Sequence, residues 1–184
     1  MAAVVEKPAK RWTYEEYYRL EDDQRYEIID GNLLMAPAPD IWHQNWSRDL
    51  SWLIVGHMKQ HKLGTVFIAP VDVVLDKHNT VQPDIVFIAT PNLSIIQRRA
   101  IFGVPDLVVE LVSPSSVRRD RYDKKSLYAR FGVKEYWIGD PANRSLEVLT
   151  LKNGEYELYC SVENTGKLTS LVLTGLELDL SELK

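Results

Sequence analysis

Two acidic residues of this sequence stand in apolar runs, where an ionised carboxylate is unfavourable. Asp84 directly precedes the run Ile85–Ile88, and Glu110 lies between Leu107 and Val112. Burying such a charge costs several kcal/mol or more unless another group compensates it. A divalent cation shared by the two carboxylates would compensate both charges at once. The pair therefore predicts a metal-dependent enzyme.

Alternation of side chains along a strand indicates where these acids point. Asp106 and Glu110 are separated by an even number of positions, so they face the same side of a predicted strand. If the strand that follows Asp84 is its neighbour, the carboxylates of Asp84 and Glu110 converge at one end of the sheet. Mg²⁺ prefers oxygen ligands and often uses one or two carboxylates with waters and substrate phosphate. The alternatives are a strand-starting role for Asp84 and an ion pair of Glu110 with Arg98 or Arg99.

A lysine on the following predicted helix is directed inward by its helical position. The apolar face of that helix carries, at helical spacing, Lys124, Leu127, Tyr128 and Phe131. Because this face packs against the interior, Lys124 needs an anionic partner, either the carboxylates or a substrate phosphate. The alternative is a surface ion pair between Lys124 and Asp120.

Basic residues concentrate around this lysine. They are Arg118, Arg119, Arg121, Lys124, Lys125 and Arg130. On a chain of net charge −4 and pI about 5.6, this local asymmetry suits contacts with phosphates, although such a run is also typical of a solvated helix face. The acidic chain as a whole argues against an indiscriminate nucleic-acid binder.

The elements that must position these residues are short strands and a few helices. Helices are predicted from Thr13 to about Leu20, from about Asp40 to His61 and from about Asp120 to Phe131. Strands are predicted at 65–69, 71–75, 85–88, 107–112 and 135–138, with a short helix or irregular segment at 92–100. Glycine turns predict hairpins at 26–35, ended by Pro37 and Pro39, and at 146–159.

The long second helix carries aromatic and histidine residues whose roles the sequence restricts. Trp46 recurs with apolar neighbours at helical spacing, which favours a place in the core over stacking on nucleobases. The histidines of the chain are His43, His57, His61 and His78. They form no convincing ligand set and no HExxH pattern, so hydrolysis at a histidine-bound metal is disfavoured.

Length and composition favour one domain. The chain has 184 residues, 45% of them hydrophobic, so we expect a single domain over 1–184 with a flexible tail at 1–10. The single cysteine, Cys160, excludes an intramolecular disulfide and fits a reducing compartment. No apolar run is long enough to span a membrane, and Met1–Lys10 lacks the apolar core of a signal peptide. We therefore expect a cytoplasmic protein without a membrane partner.

A set of short motifs occurs in a fixed order along nearly the whole chain. The motifs are Tyr26–Gly31, Gln82–Asp84, Val104–Glu110, Ser113–Ser115, Asp120–Lys124, Tyr128 and Gly132–Trp137. In this ordered set the chain resembles the PD-(D/E)XK nuclease superfamily and, more narrowly, the Uma-type bacterial family of restriction endonucleases. The resemblance implies a restriction-endonuclease-like α/β core, in which a mixed central β-sheet is flanked by helices, with extra N-terminal and C-terminal β-hairpins.

The resemblance also implies the roles of individual residues. Asp84 and Glu110 would bind Mg²⁺, with Mn²⁺ as a substitute ion. The superfamily motif has a lysine where this chain has Val112, so Lys124 would have to act from the next helix. Glu27 matches an acidic position of the family and would bind or orient the metal; the alternative is a hairpin residue that faces solvent.

The implied activity is endonucleolytic hydrolysis of phosphodiester bonds, with DNA as the expected substrate. Mg²⁺ would polarise the scissile phosphate and lower the pKa of a bound water, while Lys124 would orient that water or stabilise the developing charge. We also expect a homodimer, with Trp137 and the late hairpins offering apolar edge surface. The alternative, favoured by the acidic pI and by Val112, is a catalytically inactive nuclease fold that serves as a binding or regulatory module.

Overall fold

The structure, a computed structural model, describes residues 10–22, 24–36 and 38–184. The predicted N-terminal tail lies outside these residues except for Lys10, and Pro37 lies outside them as well. Within the described part of the chain, no helix combines the length and the apolar character that crossing a membrane requires.

A six-stranded mixed sheet forms the centre of the fold. In spatial order it contains β11 (Glu155–Glu163), β10 (Ser145–Lys152), β9 (Glu135–Asp140), β8 (Leu107–Leu111), β6 (Ile85–Ala89) and β3 (Gly64–Ile68). β8 and β9 pair in parallel, and the other neighbours pair antiparallel. The predicted C-terminal hairpin is β10–β11, which extends this sheet.

A second sheet packs beside the first and contains the N-terminal hairpin. Its order is β2 (Asn32–Met35), β1 (Tyr26–Ile29), β5 (Asn79–Val81), β4 (Val73–Asp76) and β7 (Ile101–Phe102). The hairpin turn has φ angles of 51° at Asp30 and 82° at Gly31, the left-handed conformation that an Asp-Gly pair favours. A small antiparallel pair, β12 (Lys167–Thr169) and β13 (Glu177–Asp179), follows near the end of the chain.

The first helix packs on the second sheet, and the other two lie on opposite faces of the central sheet. The helices are α1 (Tyr14–Tyr17), α2 (Ile41–His61) and α3 (Lys125–Phe131), with 3₁₀ turns at Thr90–Ile95 and Leu180–Glu182. The helix predicted at 120–131 instead begins with a π-helical turn, Arg119–Lys124, before α3 continues it. Asp120 and Lys124 of this turn are both buried, and their opposite charges compensate each other there.

Each face of the central sheet covers its own apolar core. On one face, Trp46 and Leu50 of α2 pack with Val109 of β8, which confirms the core role of Trp46. On the other face, Val108 and Leu127 pack together with residues of the second sheet. The mixed sheet flanked by helices is therefore the fold that the sequence predicts.

One expectation about the surface is wrong. Trp137 is fully buried in the central sheet and offers no edge surface for self-association. Exposed apolar side chains of the late hairpin are instead Leu158 and Tyr159 of β11. The error arises because strand β9 lies inside the sheet, between β8 and β10, rather than at an edge.

The buried carboxylate of Glu135 holds the C-terminal segment onto the central sheet. Its Oε1 accepts hydrogen bonds from Trp137 Nε1 at 2.7 Å and from Ser170 Oγ at 2.5 Å. Its Oε2 accepts from the backbone N–H groups of Leu171 at 2.8 Å and Val172 at 3.2 Å. Removing this carboxylate would leave all four donors without their acceptor.

We therefore expect Glu135→Ala to lower the free energy of unfolding by about 3 kcal/mol, measured by urea denaturation. A matched control is Glu157→Ala, which removes an exposed carboxylate paired with Lys152. This control should change the unfolding free energy by less than about 1 kcal/mol. Equal effects of the two substitutions would contradict the role assigned to Glu135.

Candidate active site

A cavity of about 580 Å³ opens at one end of the central sheet. The acidic and basic residues singled out in the sequence, Glu27, Asp84, Glu110 and Lys124, all line it. They come from four separate elements: strand β1, the residue before β6, strand β8 and the π-helical turn. The fold therefore brings together the four side chains for which the sequence predicts chemistry.

Strand register explains why the two central acids meet. β6 and β8 are antiparallel, and Ile85 pairs with Val109. One step further along the same register, Asp84 lies opposite Glu110. Directly opposite residues of antiparallel strands face the same side, with Cβ atoms about 5 Å apart. A hydrogen bond from the backbone N–H of Leu111 to the side-chain Oδ2 of Asp84, at 2.7 Å, also joins the two strand ends.

In each of the two carboxylates, one oxygen is hydrogen-bonded to neighbouring residues of the fold. Asp84 Oδ2 accepts from Leu111 N–H and lies 3.1 Å from His43 Nε2. Glu110 Oε1 accepts from Lys124 Nζ at 2.9 Å and from Tyr128 Oη at 2.6 Å. The second oxygens, Asp84 Oδ1 and Glu110 Oε2, accept no hydrogen bond from the described residues. Neither oxygen is among the fully buried atoms that lack a hydrogen bond, and both residues line the cavity. Both oxygens are therefore open to the cavity.

Lys124 lies buried among three carboxylates. Its Nζ is 2.8 Å from Glu27 Oε1, 2.9 Å from Glu110 Oε1 and 3.6 Å from Asp120 Oδ1. The pair with Asp120 thus exists, but in the interior and not on the surface. Burial opposes the charge of Lys124, yet the carboxylates of Glu110, Glu27 and Asp120 together raise the pKa of this lysine. It stays protonated at neutral pH.

Glu27 is buried and does not face solvent, so the alternative of an exposed hairpin residue is wrong. Its Oε1 accepts from the backbone N–H of Gln82 at 2.9 Å, and its Oε2 is 3.4 Å from Arg119 Nη1. Burial alone would raise the pKa of Glu27, but Lys124, the Gln82 N–H and Arg119 lower it. Glu27 is therefore the ionised partner that holds Lys124 in place.

The cavity is lined by more carboxylates than lysine and arginine side chains. The carboxylates are those of Glu27, Asp40, Asp84, Glu110 and Asp120, whereas the basic side chains are those of Arg25, Arg119 and Lys124. Burial and the neighbouring carboxylates raise the pKa of Glu110 well above its usual range, despite the opposing effect of Lys124. Burial likewise raises the pKa of Asp120. A bound cation would oppose these shifts, because it favours the ionised form of the neighbouring carboxylates.

The donor set fits a magnesium ion that is bound by only a few protein ligands. Among the described residues, no group of three or more His, Cys, Asp or Glu side chains is arranged to hold a metal ion. Mg²⁺, however, is commonly held by one or two carboxylates and completes its shell with waters and substrate phosphate. The open oxygens of Asp84 and Glu110 supply two hard ligands of this kind.

Comparison with known proteins gives the family. The sequence model of the Uma2 family, described as "putative restriction endonuclease", matches residues 14–181. The chain belongs to the Uma2 family. This confirms the resemblance that the motifs carry and supports a nuclease. A search of curated proteins found no match.

A solved structure with the same fold is the crystal structure of a "putative nuclease belonging to DUF820" from Anabaena variabilis ATCC 29413. Its TM-score is 0.75, with 19% sequence identity, and the match covers 93% of this chain and 96% of that one. At this identity the similarity establishes the fold of this Uma2 protein and not its chemistry.

Sequence reasoning missed His43, which contacts Asp84 in this Uma2 protein. His43 is more than nine-tenths buried, and burial opposes its charge, but the Asp84 carboxylate raises the pKa of the imidazole. Asp40 caps the helix by accepting from the His43 backbone N–H at 2.8 Å. The signal was present: His43 precedes Trp46 and Leu50 by three and seven positions, which places it on the buried face of α2.

The two arginines suggested as partners of Glu110, Arg98 and Arg99, do not line the cavity. The suggested partner of Glu110, Arg99, instead forms an ion pair with Glu15 at 2.5 Å and lies over the ring of Tyr14. Arg98 forms no ion pair with Glu110 either. The alternative of an arginine partner for Glu110 is therefore wrong, because Lys124 holds that position.

Asp106 does not line the cavity and instead joins three structural elements. It accepts from Lys134 Nζ at 2.7 Å, from Asn92 Nδ2 at 2.8 Å and from the Ala89 N–H at 2.8 Å. Burial acts to raise the pKa of Asp106, but these contacts lower it below the ordinary 3.8. The contribution of Asp106 to stability is thus present above pH 3.8 and is lost as the pH falls through the folded-state pKa.

We accordingly expect Asp106→Asn to reduce the dependence of unfolding free energy on pH in the acid range, measured by urea denaturation at a series of pH values. The unfolded wild-type chain takes up a proton there before the folded one does, and the variant lacks that proton. Asp123→Asn, at an exposed position, is the control and should keep the wild-type slope. An unchanged slope in Asp106→Asn would contradict the assignment.

Proposed function

We propose that this protein is a magnesium-dependent endonuclease that hydrolyses phosphodiester bonds of nucleic acid, with DNA as its substrate. The observation that carries the proposal is the pair of open oxygens, Asp84 Oδ1 and Glu110 Oε2, beside a buried lysine. Family membership supports the nuclease class. The metal, the DNA preference and the roles of Asp84, Glu110, Lys124 and Glu27 belong to the proposal.

Each of the four residues would have its own role in the reaction. Asp84 and Glu110 would hold the ion, which supplies Lewis-acid activation of the scissile phosphate and of a water molecule. Lys124 Nζ carries a fixed positive charge 2.9 Å from Glu110 Oε1, where it can stabilise the negative charge that develops on the phosphate oxygens. Glu27 fixes the position of Lys124 from the opposite side, at 2.8 Å.

The direct test is nicking of supercoiled plasmid with Mg²⁺, with Mn²⁺ and with EDTA. We expect nicked and then linear DNA with either metal and no cleavage in EDTA. Parallel reactions with labelled RNA and single-stranded DNA decide the substrate class. Absence of cleavage of all three substrates in both metals would overturn the proposal.

The second candidate function is a catalytically inactive nuclease fold that binds or regulates. Val112 in the motif position of the lysine favours it, as does the acidic chain. Calorimetric titration of Mn²⁺ into the wild type and into Glu110→Ala separates the two functions. An enzyme should bind the ion measurably and lose that binding in the variant, whereas equal weak binding by both proteins would favour the inactive module.

We propose a single domain over 1–184 that forms a homodimer in the cytoplasm, with exposed Leu158 and Tyr159 of β11 at the contact between copies. Sedimentation velocity of the wild type and of Leu158→Glu measures the assembly. A monomeric wild-type protein would contradict the dimer.

A further inference from the structure

An arginine at the mouth of the cavity is held by a neutral group. Arg25 lines the same cavity as Asp84 and Glu110. Its Nε donates to Gln82 Oε1 at 3.0 Å. Gln82 stands two residues before Asp84, and both residues line the cavity together with Arg25.

The orientation of the Gln82 amide is determined by its other contacts. Its Nε2 donates to Asp72 Oδ1 at 2.8 Å and to Tyr17 Oη at 3.1 Å. Both amide protons are thereby used, so the carbonyl oxygen must point toward Arg25. The backbone N–H of Gln82 also donates to Glu27 Oε1. One residue thus positions both an acid and an arginine in the cavity wall.

Arg25 differs from the other cations of the cavity. Lys124 and Arg119 pair with buried carboxylates. Within 10–22, 24–36 and 38–184, Arg25 has no carboxylate within ion-pair distance, and its two terminal nitrogens make no hydrogen bond. Neither of these terminal nitrogens is among the fully buried atoms that lack a hydrogen bond. Four of the five guanidinium N–H groups are therefore available on the edge that forms bidentate bonds to phosphate.

We propose that Arg25 binds a backbone phosphate of the nucleic acid next to the scissile one, and that Gln82 is its positioning residue. The proposal rests on the proposed function, since it assigns a contact within the same cavity. The proposal follows from charge complementarity: a cavity lined by carboxylates repels a polyanion, so a cation that forms no ion pair with these carboxylates is needed where the backbone enters. The group that contacts Arg25 directly is a neutral amide, and Asp72, which accepts from the other end of that amide, forms no ion pair with Arg25 although the two charges attract each other.

The test measures binding of a fluorescent DNA duplex by anisotropy in EDTA, over a series of KCl concentrations. Arg25→Ala should weaken binding roughly tenfold at low salt and reduce the slope of log K against log[KCl] by about 0.9. Arg25→Lys should keep the slope and lose part of the affinity, because the charge remains and the planar fork is lost. The matched control, Arg98→Ala, removes an exposed arginine away from the cavity and should bind like the wild type.

A double-variant comparison tests the positioning role. Gln82→Ala should weaken binding in the wild type but should have no further effect in the Arg25→Ala background. An equal additional loss in both backgrounds would overturn the role of Gln82.

The outcomes separate this proposal from the proposed function. Wild-type protein that cleaves nucleic acid while Arg25→Ala binds with unchanged affinity and salt slope would overturn the phosphate contact alone. Wild-type protein that neither binds nor cleaves nucleic acid would overturn both. Circular dichroism of each variant confirms that the comparison is between folded proteins.

Discussion

Glu110→Gln is expected to lose nicking activity by roughly a thousandfold or more while the protein remains folded. The substitution keeps the shape of the side chain but replaces an oxygen that is open to the cavity with either an amide NH₂ or a weaker ligand. The burial of Glu110 raises its pKa, so a neutral side chain is tolerated at this position. The measurement is the rate of plasmid nicking in Mg²⁺ and in Mn²⁺, together with the urea midpoint.

The control for this prediction is Glu157→Gln, an exposed carboxylate on β11. It should nick DNA at the wild-type rate. Activity of Glu110→Gln within a few-fold of the wild type would remove Glu110 from the site. Loss of activity accompanied by a collapse of the urea midpoint would instead show that Glu110 acts through stability alone.

Lys124→Met is expected to affect both stability and activity. The methionine fills the space of the lysine stem, but Glu27, Glu110 and Asp120 lose the charge that compensates them. Leaving buried carboxylates without their partner costs about 3–5 kcal/mol of unfolding free energy. Nicking should fall by about a hundredfold or more, because the variant loses the fixed positive charge that we propose to lie beside the scissile phosphate.

The neighbouring lysine supplies a matched control for that variant. Lys125→Met removes the same charge one residue later, on a half-buried position of α3 without an ion pair among the described residues, and should keep both stability and activity. Added Mg²⁺ should raise the melting temperature of Lys124→Met more than that of the wild type, since the ion replaces the missing charge. Equal stability of the two variants would contradict the buried arrangement of Lys124.

Much of the fold follows from local patterns. Alternating and continuous apolar runs predict strands β6, β8 and β9, and the Asp30-Gly31 pair predicts the first hairpin, as the structure has them. The short strands β5, β7, β12 and β13 were not predicted, because strands of two or three residues carry too little periodicity and exist only through their neighbours. The π-helical turn at 119–124 was also missed, since the hydrophobic pattern of a π turn does not differ from that of an α-helix at this length.

The sequence by itself predicted which residues could carry chemistry and which side of their own strand or helix they occupy. Strand alternation predicts the side of the sheet on which Glu110 lies, and the pairing of β6 with β8 in the structure then sets it opposite Asp84. Lys124 turns inward because it shares the apolar face of its helix. Only the tertiary structure decided the partners: Lys124 between Glu27 and Glu110, His43 on Asp84, and Arg25 on Gln82. Periodicity describes one element at a time, whereas these contacts depend on how elements far apart in the chain pack together.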